Sequence, residues 1–366
     1  MGLFDYLKKA ADTVKKTVED TQQKNNKKEN EIIYADVDPT LDLVNYRREK
    51  YNKEQVTALF LKSMSYRPHK VGKNNDDDYP RYLTYEYNIL DVPAFHKELI
   101  NKGYFCEASF KDIISGYKVN ELKEMLLKKE QVLKGLKKDD LISLAEKVFS
   151  EEEKQEIEKG SSLYQISKLG LEYLESQKDF LTIVDFKKYG INYSLFMEYK
   201  SKLPQYATMR DVVWNIFNER LNYFSVNRNY GMLRGVYLNM AEFLEEEKPS
   251  IDVLYNYILC LYYDINLVDN QQQILNKYLD NETIIGFLDH KALAPAIITK
   301  IKEYASYHDD KIFDKLFAYE KLPYKFISDN DFKDMVNDIY NSSFFDEAKY
   351  INVAIENAKI AINKRK

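Results

Sequence analysis

Apolar side chains recur every three or four residues along most of the second half of the chain. In this half, Val212, Ile216 and Leu221 fall on one wide apolar face that also carries Trp214 and Phe217. Such a period is typical of amphipathic helices that bury one face. Only 11 glycines and 8 prolines interrupt the 366 residues. The sequence therefore predicts a mainly α fold built from packed helices.

Residues 231–247 and 251–268 continue this pattern on either side of a proline, and Ser250 is a suitable N-cap for the second segment. They predict an antiparallel helix pair, which resembles the helical-repeat hairpins of tetratricopeptide proteins in its alternating small and aromatic residues. No strict period continues beyond the pair, so we expect residues 160–366 to form an irregular, repeat-like domain of helical hairpins. The aromatic run at 257–264 could line a groove, but core packing is the favoured interpretation.

The charge balance and the cysteines narrow the range of compartments and partners. Lysine and arginine number 54 and the acids 59, a formal net charge of -5, which argues against a surface that is positive everywhere. Cys106 and Cys260 alone cannot build a disulfide framework or a thiolate zinc cluster. No apolar run is long enough to span a membrane, and no secretion signal is recognisable. We therefore expect a cytoplasmic protein of about two domains, with no metal or cofactor.

The amino terminus has an amphipathic pattern. Residues 1–18 predict a short helix with four lysines opposite an apolar face. This helix could contact a membrane surface or a partner, but a helix that lies on its own domain or frays is the favoured interpretation. Residues 19–30 contain no apolar side chain and predict a flexible linker.

Residues 31–110 predict a mainly helical region with one strand, an α+β arrangement. A helix that begins near Asp38 and a second one capped by Asn52 would form a hairpin. Residues 68–80 hold two prolines, a glycine and a run of acids, and predict a loop. The alternating segment Arg81–Leu90 is the best strand candidate.

A further helix is expected to begin after Asp91 and to stop at Gly103. His96 within it has no second histidine or cysteine at ligand spacing, so we expect a surface or half-buried side chain rather than a metal ligand. Residues 161–176 resemble a stretch that is common at the start of a helix in winged-helix proteins. A turn followed by an ordinary helix capped at Ser167 explains this stretch equally well and is the favoured interpretation.

The most informative window is 117–148. Its apolar spacing predicts two short helices with a tight, lysine-rich turn between them that contains Gly135. From Lys118 to Lys138 there are seven lysines and three acids, a local charge of +4 in a chain of -5. The inward-facing residues are predicted to be Val119, Leu122, Met125 and Leu126 on the first helix, and Leu141, Leu144, Ala145 and Val148 on the second.

This window resembles the SAP motif, a helix-turn-helix unit. The resemblance rests on Val119-Asn120-Glu121-Leu122-Lys123, on Leu126, and on Gly135 with Lys137-Lys138-Asp139-Asp140-Leu141-Ile142. The SAP family is known for binding DNA, often AT-rich duplex, so the resemblance implies a SAP-like module at residues 111–150. Two departures affect the turn: Glu130-Gln131 replace the glycine that commonly ends the first helix, and the segment before Leu141 is one residue longer.

The same resemblance implies a DNA contact at the turn. Backbone N–H groups at the start of the second helix could donate to a phosphate oxygen, and lysines would add point charges. Few side chains here could read base edges, so we expect weak sequence preference, with salt-dependent binding. The predicted DNA-binding residues are Lys118, Lys123, Lys128, Lys134, Gly135, Lys137 and Lys138.

The sequence therefore predicts a DNA-binding or adaptor protein whose helical domain binds a protein partner. Lysines outnumber arginines 45 to 9, and the chain is similar in this bias and in its long helical body to proteins of low-GC Gram-positive bacteria and their phages. The alternative is an interaction scaffold without a nucleic-acid role. Catalytic motifs are absent from the sequence, so we expect no enzyme, although a nuclease with dispersed carboxylates would leave no local signature. Asp309-Asp310 after His308 is the nearest candidate for such a site.

Overall fold

The computed structural model describes residues 49–129, 131, 133–276, 278–288 and 291–364. These residues form two compact units, residues 49–185 (the sheet unit) and residues 186–364 (the C-terminal unit). Twenty helices and three short strands make the described chain mainly α, which confirms the predicted class. The predicted N-terminal helix, the linker after it and the helix near Asp38 lie outside the described residues.

The sheet unit combines a small antiparallel sheet with helices. In chain order it contains α1 (Lys53–Met64), β1 (His69–Lys70), α2 (Asn75–Asp78), α3 (Tyr82–Tyr85), α4 (Val92–Asn101), β2 (Phe105–Glu107), α5 (Phe110–Ser115), α6 (Val119–Leu127), α7 (Lys138–Val148), α8 (Glu151–Ser161), β3 (Leu163–Ile166), α9 (Lys168–Ser176) and α10 (Lys178–Asp185).

Strand β3 lies in the middle of the sheet and pairs antiparallel with both β1 and β2. His69 is opposite Tyr164, and Cys106 is opposite Gln165. Helices α5 to α8 therefore lie in the connection between β2 and β3. The core of the sheet region is a cluster of buried side chains: Phe60, Leu61, Met64, Tyr79, Leu83, Ile89, Val92, Leu99 and Phe105.

The strand predicted at Arg81–Leu90 is wrong. The segment forms the single turn α3 and then reverses at Asn88, whose φ is +58°. The Ile89 N–H donates to the Leu83 carbonyl, and both side chains enter the core. The alternation of polar and apolar residues is real, but in the described chain no strand lies beside this segment to accept its backbone hydrogen bonds. The loop predicted at 68–80 is also partly wrong, because it contains β1 and α2.

Side-chain caps confirm several predicted helix starts. Asn52 forms a capping box with Gln55 at the start of α1, and the Asp91 carboxylate accepts from Ala94 N–H at 2.9 Å at the start of α4. Gly103 follows α4 with a φ of +78°. The Ser167 hydroxyl accepts from Gly170 N–H, so α9 begins where the ordinary turn-and-helix interpretation places it.

The C-terminal unit consists of helices packed around α14. In chain order it contains a 3-10 helix (Phe186–Tyr189), α11 (Tyr193–Lys202), α12 (Met209–Val226), α13 (Tyr230–Glu247), α14 (Ile251–Ile265), α15 (Val268–Leu275), α16 (Asn281–Gly286), α17 (Pro295–Glu303), a second 3-10 helix (Ala305–Tyr307), α18 (Lys311–Tyr319), α19 (Asp329–Asn341) and α20 (Ala348–Asn363).

Helices α13 and α14 form the predicted antiparallel pair, with Ser250 at the N-cap position of α14. Two contacts fix their direction: Arg234 Nη2 lies 2.8 Å from the Asp264 carboxylate, and the Tyr257 hydroxyl donates to Glu245 at 2.7 Å. Every side chain from Val253 to Tyr263 is buried, which confirms core packing for the aromatic run. None of the described helices has the length and apolar content needed to cross a membrane.

Candidate nucleic-acid interface

The lysine-rich window forms two helices, α6 and α7, which we call the lysine module together with the connection between them. Leu122, Leu126 and Leu141 are completely buried and Ala145 is 1% exposed, as predicted. Val119 is 37% exposed, so its predicted inward position is wrong. It is the first residue of α6, at the edge of the packed face. The apolar spacing therefore identifies most of the core of the module, but it does not include Ile142, which is also buried there.

Helices α5 and α8, which precede and follow the lysine module in the chain, both pack against it. Phe110 and Ile114 from α5 belong to the same buried cluster as the α6 and α7 residues, and Ile157 from α8 packs against it. Phe110 N–H donates to the Glu158 carboxylate at 2.6 Å, which joins α5 to α8. The module is therefore the central part of a four-helix insertion between β2 and β3.

The connection between α6 and α7 is longer than the tight turn that the sequence predicts. Near the start of α6, the Lys138 ammonium donates to the Ser115 carbonyl at 2.7 Å. At the far end of α6, the Lys129 ammonium pairs with Glu153 and lies 5.0 Å from the centre of the Phe149 ring, just after α7. The two helices therefore run in the same direction.

Within this connection, Gly135 adopts a φ of +82°, which an L side chain rarely adopts. A Cβ atom at this position would meet no other atom within 4 Å, so the backbone angle alone makes glycine preferable here. Leu133 and Leu136, on either side of it, pack against the core of the module. Gly135 is therefore an exposed position between two leucines that pack against the core.

The predicted site lysines divide into two groups. Lys118, Lys137 and Lys138 lie at the starts of α6 and α7, whereas Lys128 lies at the opposite end of α6. Lys134 is exposed in the connection and Lys123 is half-buried on α6. Within the described part of the chain, no carboxylate forms an ion pair with the following five of these lysines: Lys118, Lys123, Lys128, Lys134 and Lys137.

Carboxylates of the module occupy the helix starts where the sequence suggests a phosphate. The Lys118 N–H donates to Glu121 at 2.6 Å and the Lys137 N–H donates to Asp140 at 3.0 Å. In a full capping box the side chain of the N-cap residue would also accept a hydrogen bond, which lysine cannot do. Each of these two pairs therefore forms only half of a capping box. Asp139 adds a second acid to the first turn of α7. These acids disfavour an anion at the helix starts, so the lysine ammonium groups are the groups that this surface offers to a phosphate.

Comparison with known proteins adds no relative to this description. No family model, curated protein or solved structure matches the chain.

The candidate nuclease carboxylates have local structural contacts. His308 Nε2 lies 3.1 Å from Asp310 and its Nδ1 lies 3.2 Å from the Tyr340 hydroxyl, whereas Asp309 accepts from the Lys311 N–H at the start of α18. Among the described residues, no group of three or more histidine, cysteine or acidic side chains could hold a metal ion. These contacts offer no support for a metal-dependent nuclease site at His308.

Sequence reasoning missed a polar cluster in the C-terminal unit, in which the half-buried Glu320 contacts two buried tyrosines. The Glu320 carboxylate, just after α18, accepts from the Tyr237 hydroxyl at 2.9 Å and from the Tyr263 hydroxyl at 2.6 Å. Burial raises the pKa of Glu320, although the two hydrogen bonds oppose this shift. Glu320 is an unremarkable residue at a helix end in the sequence, and only the contact between α18 and the α13–α14 pair gives it a role.

Proposed function

We propose that this protein binds the phosphate backbone of duplex DNA through the lysine module. The observation that carries the proposal is a set of five lysines that form no ion pair with any carboxylate of the described residues, on a braced helical scaffold in a chain whose net charge is -5. These lysines give the module a local positive charge, and the acidic remainder of the chain opposes binding elsewhere. The resemblance of the module to the SAP motif supports the same ligand, with a preference for AT-rich duplex.

The binding mode follows from the chemistry of the groups offered. Lysine ammonium groups act as point charges toward phosphate and do not select bases bidentately. Each phosphate that they neutralise releases counterions, so the logarithm of the affinity should fall by about 0.9 per phosphate for each tenfold rise in salt. Because Lys118 and Lys137 lie at one end of the module and Lys128 at the other, the contact extends along the duplex backbone rather than to a single phosphate.

A mobility-shift series with the full chain and an AT-rich duplex, from about 50 to 200 mM salt, tests this function. The double substitution Lys134→Glu and Lys137→Glu should weaken binding at least tenfold and flatten the salt dependence. The control is Lys311→Glu with Lys321→Glu, two exposed lysines of the C-terminal unit that change the net charge equally. Equal affinity of both double variants and the wild type would reject the module as the binding site.

An adaptor role for the C-terminal unit is part of the proposal. Phe344 is 83% exposed, and Val353 and Ile360 are about half exposed on α20. Since residues seven positions apart share a helix face, Val353 and Ile360 are two exposed apolar side chains that one protein partner could contact. The scaffold alternative, without a nucleic-acid role, predicts wild-type protein that binds no duplex at any salt concentration.

A further inference from the structure

The four-helix insertion, residues 109–161, has a hydrophobic core of its own. Seven buried side chains form this core, and none of them belongs to the core of the sheet region. The helices of the insertion also pack mainly on one another, with α5 against α7 and α8, and α6 against α7. The sheet unit therefore contains two separate centres of packing, one of which lies entirely within the insertion.

The polar contacts of the insertion are internal as well. Among the described residues, the one hydrogen bond that crosses its boundary is local, from the Leu163 N–H to the Ser161 hydroxyl at 3.2 Å. Ion pairs and aromatic contacts of the described residues in the insertion have both partners inside it; for example, the Lys111 ammonium lies 3.3 Å from the Glu146 carboxylate. Opening of the insertion would therefore cost the sheet few polar contacts.

The two ends of the insertion lie side by side at the sheet. The N–H of Ala108, just before the insertion, donates to the carbonyl of Leu163, just after it, at 2.9 Å. Ser162 has a φ of +51°, a left-handed conformation that turns the chain sharply from α8 into β3. Adjacent ends are what allow one domain to be inserted into another, because the surrounding chain continues as if the insert were a short loop.

We propose that the insertion is an autonomous domain, which folds and opens independently of the sheet and carries the duplex binding of the whole chain. The second part of this claim rests on the proposed function. A unit with its own core opens cooperatively, with a free energy of its own. With roughly 50 residues the insertion is close to the lower size limit for a domain without disulfides or metals, so it should open before the sheet does. Duplex binding is then gained or lost with the folding of the insertion alone, while the sheet stays folded.

Hydrogen exchange of the full chain, at urea concentrations below the unfolding transition, tests the autonomy. The amides of α5 to α8 should open together, at less urea than the amides of β2 and β3. Leu126→Ala should accelerate exchange in the insertion about tenfold or more and leave exchange in the sheet unchanged. Leu83→Ala, at an equally buried leucine of the sheet core, is the matched control and should accelerate exchange in the sheet alone. Loss of protection in both regions together, in either variant, overturns the autonomy.

Replacement of residues 109–162 by the dipeptide Asn-Gly separates the two parts of the claim. A two-residue turn suits the hydrogen-bonded pair Ala108 and Leu163, so the shortened protein should keep the protection of β2 and β3. It should bind duplex about tenfold or more weakly than the wild type. Loss of protection in its sheet overturns the autonomy and leaves the proposed function to the lysine variants. A folded shortened protein that binds duplex like the wild type, or a wild type that binds no duplex, overturns the proposed function, and the exchange pattern still decides the autonomy.

Discussion

The Tyr79 hydroxyl oxygen lies 2.9 Å from Nδ1 of His96, inside the core of the sheet unit. The same oxygen accepts from the Gly72 N–H at 2.9 Å, which leaves the phenolic proton for donation to His96. His96 is completely buried, so the expectation of a surface or half-buried histidine is wrong. Its ring packs near Phe60 and Phe105, at centroid distances of 5.4 and 4.9 Å. The pair joins the segment before α3 to the inner face of α4.

Because His96 is buried in a neutral form, it makes the sheet unit sensitive to acid. The pKa of His96 is lowered to about 4, mainly by burial and to a smaller extent by the charge of His69. The unfolded chain, with a histidine pKa of about 6.5, binds the proton first as the pH falls. The stabilisation is therefore complete above pH of about 6.5 and is lost toward pH 4, a change on the order of 3 kcal/mol in the free energy of unfolding.

Hydrogen exchange of the sheet unit at pH 7.5 and pH 4.5 measures this loss. His96→Phe suits the aromatic surroundings and leaves Tyr79 its bond from Gly72, so this variant should lose much less stability between the two pH values. The pKa of His69 is also lowered by burial and by Arg67, so a smaller acid sensitivity should persist. An identical pH dependence in wild type and variant would contradict the role of His96.

The core of the lysine module allows a test with two neighbouring leucines. Leu126 is completely buried and Leu127 is 60% exposed. Leu126→Ala leaves a cavity and should cost about 2–5 kcal/mol, whereas Leu127→Ala should change stability by less than about 0.5 kcal/mol. Urea unfolding gives the free energies, and hydrogen exchange should show the loss of protection in residues 110–161. Similar effects of the two substitutions would mean that α6 does not pack by the face described.

Gly135 and Gly160 provide a pair of glycine substitutions with opposite expected signs. Neither would place a Cβ within 4 Å of another atom. Gly135 has a positive φ, so Gly135→Ala should destabilise the unit by about 1 kcal/mol. Gly160 lies in helix α8, where alanine is the better helix former, so Gly160→Ala should stabilise it by up to about 1 kcal/mol. Thermal melting of both variants checks the signs; stabilisation by Gly135→Ala would contradict the backbone conformation of the connection.

Local signals in the sequence predict the features that depend on a few adjacent residues. Asn52, Asp91 and Ser167 cap helices in the structure because their side-chain oxygens accept from N–H groups only three residues away. The buried faces of α6 and α7 follow from the helical period in the same way, since Leu126 and Leu141 need only a neighbouring helix to cover them.

The features that sequence reasoning missed depend on distant partners. Tyr164 in β3 pairs with His69, and the segment Arg81–Leu90 has strand-like alternation but no such partner. The relative direction of α6 and α7 follows from contacts of Lys129 with Glu153 and of Lys138 with Ser115, which a helical period does not contain. Burial of a polar side chain is likewise decided by the elements packed over it, as at His96.

Glu320 is the second polar group of this kind, and it gives the C-terminal unit a pH dependence of the opposite sign. Its folded-state pKa is raised by burial, so its contribution to stability is complete below the unfolded pKa of about 4.3 and is lost as the pH rises through the folded pKa. Glu320→Gln keeps one acceptor for the tyrosines and cannot ionise. The free energy of unfolding of the wild type, relative to this variant, should therefore decrease between pH 5 and pH 8.

Trp214, the one tryptophan of the chain, is buried in this unit and reports its unfolding by fluorescence in urea. If the difference between wild type and variant does not change with pH, Glu320 ionises as readily in the folded unit as in the unfolded chain. That result would contradict a raised pKa of Glu320 in the folded unit.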